Sequence, residues 1–232
     1  MKSQSAYCPQ FSCELFPPKT DSGMEKLQAS VRALRAMEPS DFSFTYVAGG
    51  STQERTLSGV DWLRAQGLET APHRSCIGAN REHIRQILDR FRGQGIHRLV
   101  ALRGDMPSGM RGPGDFRYAN ELVEFIRAET GDHFQIEVAA YPEFHPQADN
   151  ATADLNNFAR KVRAGANAAI TQYFYNADAY FRFVDSCERL GLRLPIVPGI
   201  MPITNHSQLA RFSDACGAEI PRWIRRRLEA FG

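Results

Sequence analysis

The sequence predicts an α/β fold on a parallel sheet, a (β/α)8 TIM barrel, and three observations carry that expectation. Short apolar runs alternate strictly with longer amphipathic stretches along the 232 residues, and such alternation means parallel strands joined by crossover helices. The runs are apolar on both faces, as strands are when helices cover them. Almost every run ends in a polar or glycine-rich signature: Glu14, Thr45, His73, Arg103-Gly104-Asp105, Tyr141, Gln172 and Pro198-Gly199. An open doubly wound sheet carries function only at its switch point. A barrel brings every carboxyl-terminal strand end to one site, so polar tips on all seven strands favour the barrel.

The elements follow in order. Phe11–Phe16 reads as a strand that Pro17-Pro18 ends, and Met24–Met37 as a helix with Leu27, Val31 and Leu34 at helical spacing. Phe42–Tyr46 is the second strand, followed by a Gly/Ser/Thr loop and a helix near Val60–Gln66. Ala71–Cys76 and Arg81–Arg92 form the third pair, and His97–Leu102 and Tyr118–Glu129 the fourth, with a long Gly/Pro loop between them. Phe134–Ala140 precedes a helix around Ala151–Ala164, and Ala168–Gln172 precedes Asp178–Leu190. Leu194–Gly199 is the seventh strand, followed by Ser207–Ala215 and a last amphipathic stretch, Arg222–Phe231. Seven βα units are recognisable in a single expected domain, 1–232. Strand eight and its helix are absent from this reading, which leaves two strand edges open.

Composition excludes several classes. A net charge of +2 argues neither for nucleic acid nor for a membrane surface, and Arg222, Arg225, Arg226 and Arg227 read as the solvated face of a terminal helix. Five cysteines, Cys8, Cys13, Cys76, Cys187 and Cys216, form no C-x-x-C pair, which suits free thiols in a reducing cytoplasm. No apolar leader follows Met1, and no run reaches the ~20 apolar residues of a membrane span. None of the six histidines form H-x-x-x-H, so no metal is expected.

Glu14 stands inside an apolar strand. A carboxylate there is costly unless paired or protonated, and it reads either as a buried ion pair or as a general acid at neutral pH. The loop from Arg103 to Gly114 is neither a Rossmann fingerprint nor a P-loop; it reads as a surface loop or a binding lid. Asp105 would point into a barrel mouth, past a glycine that lets backbone approach a ligand. Tyr141-Pro142-Glu143-Phe144-His145-Pro146 is restricted by its prolines. Asp154, Asn157, Arg160 and Lys161 share one face of the next helix, either solvated or able to grip phosphates and ribose. Thr171-Gln172-Tyr173-Phe174-Tyr175 reads as a packed aromatic corner or as a seat for a flat heterocycle.

Taken together, these residues resemble the bacterial 5,10-methylenetetrahydrofolate reductases. The matching pieces are Glu14-Leu15-Phe16-Pro17-Pro18, Thr45-Tyr46, Ala71-Pro72-His73, Val100 to Asp105, and Ala139 to Glu143. They continue with Arg160-Lys161, Ala164 to Asn167, Ala169 to Gln172, and Pro198 to Pro202, in order from Phe11 onward. The resemblance implies a barrel holding FAD non-covalently and a ping-pong reaction. In it NADH or NADPH reduces the flavin and leaves; methylenetetrahydrofolate then takes the hydride and becomes 5-methyltetrahydrofolate. It implies that Glu14 is the acid that opens the folate ring and that Asp105 stabilises the cationic iminium while making flavin reduction harder. Thr45, Gln172, Gln208 and Phe212 are implied as substrate contacts. Tyr46, Ala48, His73, Arg103, Gly104, Asp105, Tyr118, Ala119, Tyr141, His145, Asp154, Asn157, Arg160 and Lys161 are implied as flavin contacts. A cytoplasmic homo-oligomer with a small folate substrate is implied too. Two departures stand out: the loop after Asp105 is slightly longer than in relatives, and no residue here can be assigned the arginine that holds the folate's glutamate tail. The alternative expectation is a truncated, catalytically weak flavin- or folate-binding remnant of that family.

Overall fold

The computed structural model describes residues 2–46, 50–105 and 112–230, apart from the side chains of 50–53 and 206. Ala48 and residues Met106 to Arg111 of the Gly/Pro loop lie outside the described residues. The fold is the expected α/β type, with seven strands in the sheet order β1-β2-β3-β4-β5-β6-β7 and no eighth strand among the described residues. The chain packs as two compact units, Cys8–Glu137 and Met1–Tyr7 with Val138–Gly232, whose boundary falls within β5 (Gln135–Ala140).

The first unit alternates β1 (Cys13–Leu15), α1 (Asp21–Arg35), β2 (Phe42–Phe44), α2 (Gly50–Ala65), β3 (Thr70–Ser75), α3 (Arg81–Gly93), β4 (Arg98–Leu102) and α4 (Ala119–Thr130). Caps set two of these helices: Thr20 Oγ1 accepts the Gly23 N–H and Asn80 Oδ1 the His83 N–H. Apolar stripes anchor them, Ile84, Ile87, Leu88 and Phe91 on α3, and Leu122, Val123, Phe125 and Ile126 on α4. The second helix differs from the sequence reading. It begins at Gly50, ten residues before the expected Val60. Composition reads Gly50-Ser51-Thr52 as loop, but Thr56 is buried there and its hydroxyl donates to the Thr45 carbonyl at 3.1 Å, tying the helix to the end of β2.

Register decides which side chains meet. Glu14 pairs with Ser43 and Ser43 with Ala71; Leu15 pairs with Phe44 and Phe44 with Pro72; His73 pairs with Val100. The Phe44 ring lies against Gly59 of α2, which leaves no room for a Cβ, so Phe44 faces the helices. Strand alternation then sends Glu14, Ser43, Thr45, Ala71 and His73 to the opposite face. Asp41 and Arg98 share that face at the amino-terminal end. There Arg98 lies 3.0 Å from Asp41 and 3.3 Å from Glu137, one cation between two buried carboxylates.

The second unit contains α5 (Ala151–Arg163), β6 (Ala168–Thr171), α6 (Ala177–Arg189), β7 (Ile196–Val197), α7 (His206–Cys216) and α8 (Arg222–Glu229). Asn150, Asn176 and Asn205 cap α5, α6 and α7. Tyr173, Leu209, Ala218, Ile220 and Ile224 form a core under the last two helices, while the arginines of α8 are exposed, as a solvated face requires. The strand β7 is two residues long where six were expected. Ala169 N–H bonds the Pro195 carbonyl, so Leu194 and Ile196 present their backbone groups away from β6. The Gln4 amide takes both: its Nε2 donates to the Leu194 carbonyl at 3.2 Å and its Oε1 accepts the Ile196 N–H at 2.8 Å. One side chain thus stands in for a neighbouring strand.

The Arg98 cluster makes stability depend on pH. Burial pushes Glu137 up to about 7, Arg98 opposing and Asp41 assisting, and burial raises Asp41 as well. A carboxyl whose folded pKa lies above its unfolded one binds its proton more tightly in the fold. The stability it contributes is therefore full below about pH 4.5 and is lost as pH rises through about 7. Glu137→Gln, which keeps an acceptor for Arg98, is expected to be about 1–3 kcal/mol more stable than the parent at pH 8 and indistinguishable at pH 4.5, by urea denaturation.

Candidate functional site

Within the unit Cys8–Glu137, the strand ends bring together Glu14, Thr45, Tyr46, His73, Arg103 and Gly104. The Glu14 side chain is reached by solvent yet has dense protein around it, as a group lining a concavity does. Burial alone raises its carboxyl above the ordinary range, and no neighbouring charge contributes. The ion-pair reading of Glu14 therefore does not hold among the described residues.

Thr45 and His73 follow the paired residues Phe44 and Pro72, so they stand side by side on the Glu14 face. Both are about 7% exposed, and Thr45 Oγ1 and His73 Nε2 are buried with no hydrogen-bond partner among the described residues. Burial pushes the His73 pKa down to about 4, so the ring is neutral at pH 7 and Nε2 waits for a donor or an acceptor. Two orphaned polar atoms on adjacent strand ends are costly unless a ligand completes them.

Gly104 shapes the next strand end. Its φ is +82°, and a Cβ would fall on Ser75 Oγ, which donates to the Arg103 carbonyl at 2.7 Å. Ile77 N–H also bonds that carbonyl at 2.8 Å, and the Arg103 Nε donates to the Gly104 carbonyl at 3.1 Å. Asp105 is exposed just beyond. Tyr118, exposed, caps α4 through its backbone and Ala119 opens that helix.

In the unit containing Val138–Gly232, the end of β5 is organised around α5. Tyr141 and His145 meet edge to face with ring centroids 4.6 Å apart. Buried Asp154 accepts the His145 N–H at 3.1 Å, and Lys161 Nζ donates to the Ala139 carbonyl. Asn157 and Arg160 are exposed and joined by a 3.2 Å hydrogen bond. The helix face read from sequence is therefore split: Asp154 and Lys161 secure the strand end, and Asn157 and Arg160 meet solvent. Gln172 turns its Oε1 to the Tyr173 N–H at 3.0 Å. Tyr173 is a packed corner, stacked on Phe212 at 5.8 Å and hydrogen-bonded to Ser213 at 2.8 Å. Phe212 keeps an exposed edge, and Gln208, exposed, lies one turn before it on α7.

Sequence reasoning gave no role to Arg74, although a charge inside the run Thr70 to Cys76 was its signal. Its side chain is 2% exposed, its Nε has no partner among the described residues, and its guanidinium lies 5.0 Å from the Tyr46 ring centroid. Glu143 was noted in the Tyr141 to Pro146 stretch but given no role of its own. Its Oε2 accepts the Glu219 N–H at 2.9 Å, while its Oε1 is buried without a partner.

Seven parallel strands in sequence order, with apolar faces under helices, define an α/β protein of TIM-barrel type, a fold that carries its ligand sites at the carboxyl ends of the strands. Comparison with known proteins narrows the class. The sequence model of the methylenetetrahydrofolate reductase family matches residues 2–231. The 5,10-methylenetetrahydrofolate reductase of Pectobacterium carotovorum is 43% identical over 214 residues, 92% of this chain and 70% of that protein. The enzyme of that name from Escherichia coli is 42% identical over 92% of this chain and 71% of its own length. A maize methylenetetrahydrofolate reductase (NADH) is 40% identical, with 39% of its length covered. Among solved structures, a Clostridium thermocellum protein described as binding two copies of 5-methyl-5,6,7,8-tetrahydrofolic acid shares the fold, with a TM-score of 0.69 over 99% of this chain and 78% of that one, at 17% identity. The chain belongs to the methylenetetrahydrofolate reductase family, an oxidoreductase family that reduces methylenetetrahydrofolate to methyltetrahydrofolate.

Gly104→Ala is expected to destabilise the protein by at least ~1 kcal/mol, because the new methyl meets Ser75 and a positive φ is imposed on an L residue. Thermal denaturation against Gly112→Ala, a position with open space, checks it.

Proposed function

We propose that this protein is an FAD-dependent oxidoreductase that reduces 5,10-methylenetetrahydrofolate to 5-methyltetrahydrofolate, with NADH or NADPH as donor in a ping-pong cycle. The observation that carries the cofactor is the orphaned His73 Nε2, buried beside the equally orphaned Thr45 Oγ1. The residues fit a flavin: a neutral imidazole and the Tyr46 ring suit a planar heterocycle edged with donors and acceptors, and the Thr45 hydroxyl beside them is open for the nicotinamide. When bound, FAD supplies a two-electron carrier between the pyridine nucleotide and the folate.

His73, Tyr46, Ala48, Arg103, Gly104, Asp105, Tyr118 and Ala119 would hold the flavin, and the family resemblance assigns flavin contacts to Tyr141, His145, Asp154, Asn157, Arg160 and Lys161 as well. Gly104 lets backbone come close where any side chain would obstruct it. Glu14 keeps its proton above the usual carboxyl range and gives it to the folate nitrogen that leaves as the five-membered ring opens. The Asp105 carboxylate stabilises the cationic carbon so formed. Thr45 contacts the nicotinamide, Gln172 the pterin and nicotinamide, and Gln208 and Phe212 the folate. A cytoplasmic homo-oligomer is the proposed working form.

Glu14→Gln tests the acid. Anaerobic NADH should still bleach the flavin of the variant, while the folate half-reaction falls by about 10²–10⁴-fold. In the parent, folate reduction should decline as pH rises through the raised Glu14 pKa, because the acid form is the active one. Survival of both half-reactions in the variant would remove Glu14 from this role. A colourless protein that takes up no added FAD would overturn the flavin reading.

A further inference from the structure

The segment that follows β5 carries two of the proposed flavin contacts, Tyr141 and His145, on a backbone that resists its own shape. Phe144, between them, has φ +60°, a conformation that a bulky L residue adopts only when its surroundings impose it. Asp154 holds the segment on one side through the His145 N–H. On the other side Glu143 Oε2 accepts the Glu219 N–H at 2.9 Å, and Pro146 closes on Gly217 so tightly that a Cβ there would meet its ring. Residues 217 and 219 lie directly after α7, the helix carrying Gln208 and Phe212. The Glu143 link lies at the surface: one carboxylate oxygen makes this single, exposed bond, while the other is buried without a partner among the described residues. A carboxylate spent on one backbone amide, with no cation bonded to it among the described residues, has the form of a fastener rather than of an ion pair.

We propose that Glu143 is a positioning residue that latches the segment Tyr141 to Pro146 onto the chain following α7, and so sets Tyr141 and His145 for the cofactor; this rests on the flavin reading above. Removing the acceptor frees the Glu219 amide and releases the strained backbone at Phe144. The ring pair Tyr141–His145 then loses its fixed orientation, and cofactor affinity falls without any change in the groups that touch it.

The full chain is tested as Glu143→Ala, Glu143→Gln and Glu219→Pro, the last removing the N–H from the other side. FAD dissociation constants come from fluorescence titration, and amide hydrogen exchange of residues 141–147 is followed in the flavin-free protein. Glu143→Ala and Glu219→Pro are each expected to weaken FAD about tenfold and to speed exchange over 141–147. Glu143→Gln, which keeps an acceptor, should stay within about twofold of the parent, and the Ala/Pro double variant should be no weaker than either single one. Unchanged exchange in Glu143→Ala, or a Gln variant as weak as the Ala variant, would overturn the latch. A parent that binds no FAD would overturn the flavin reading, and the exchange comparison would still decide the latch.

Discussion

The described half of the site depends on one constraint, the register of the parallel ladder through β1, β2, β3 and β4. Pairing Phe44 with Pro72 and His73 with Val100 fixes which residues are neighbours. Strand alternation fixes which neighbours share a face. A slip of one residue would send Phe44 away from Gly59 and α2 and would turn Glu14, Thr45 and His73 toward the helices. The packing of one aromatic ring against a glycine is thereby linked to the chemistry on the opposite face.

That opposite face carries polar groups at both ends, and they answer to different demands. At the amino-terminal end, Arg98 bonds both Asp41 and Glu137, an arrangement that serves the fold. Toward the carboxyl-terminal end, Thr45 Oγ1 and His73 Nε2 bond nothing among the described residues. Both ends bury polar atoms, but only one leaves them unsatisfied. The unsatisfied end is the one at which barrel folds carry their sites.

Much of this was legible in the sequence because its signals are local. Strand and helix alternation is a matter of period, and Glu14, Thr45 and His73 each stand at the end of an apolar run. What was not legible depends on contacts across the chain. The Gln4 amide completes the edge of β7 from 190 residues away, and no local pattern announces that. The early start of α2 rests on the Thr56 bond to Thr45, in a stretch whose composition reads as loop. Gln172 and its aromatic neighbours carried two readings in sequence; the structure shows Tyr173 packed against Phe212 and Ser213. Helical spacing placed Asp154, Asn157, Arg160 and Lys161 on one polar face, but the structure divides them. Their division into strand-securing and solvent-facing members needed the position of β5.

The central claim is that His73 is left unsatisfied for a flavin. The ¹⁵N resonance of His73 Nε2, followed at pH 7 while FAD is titrated into the flavin-free protein, tests it most directly. A neutral imidazole whose Nε2 signal shifts in step with stoichiometric FAD binding is the predicted result. Tight FAD binding that leaves the His73 signal in place, or a His73 that is already protonated at pH 7, would contradict it.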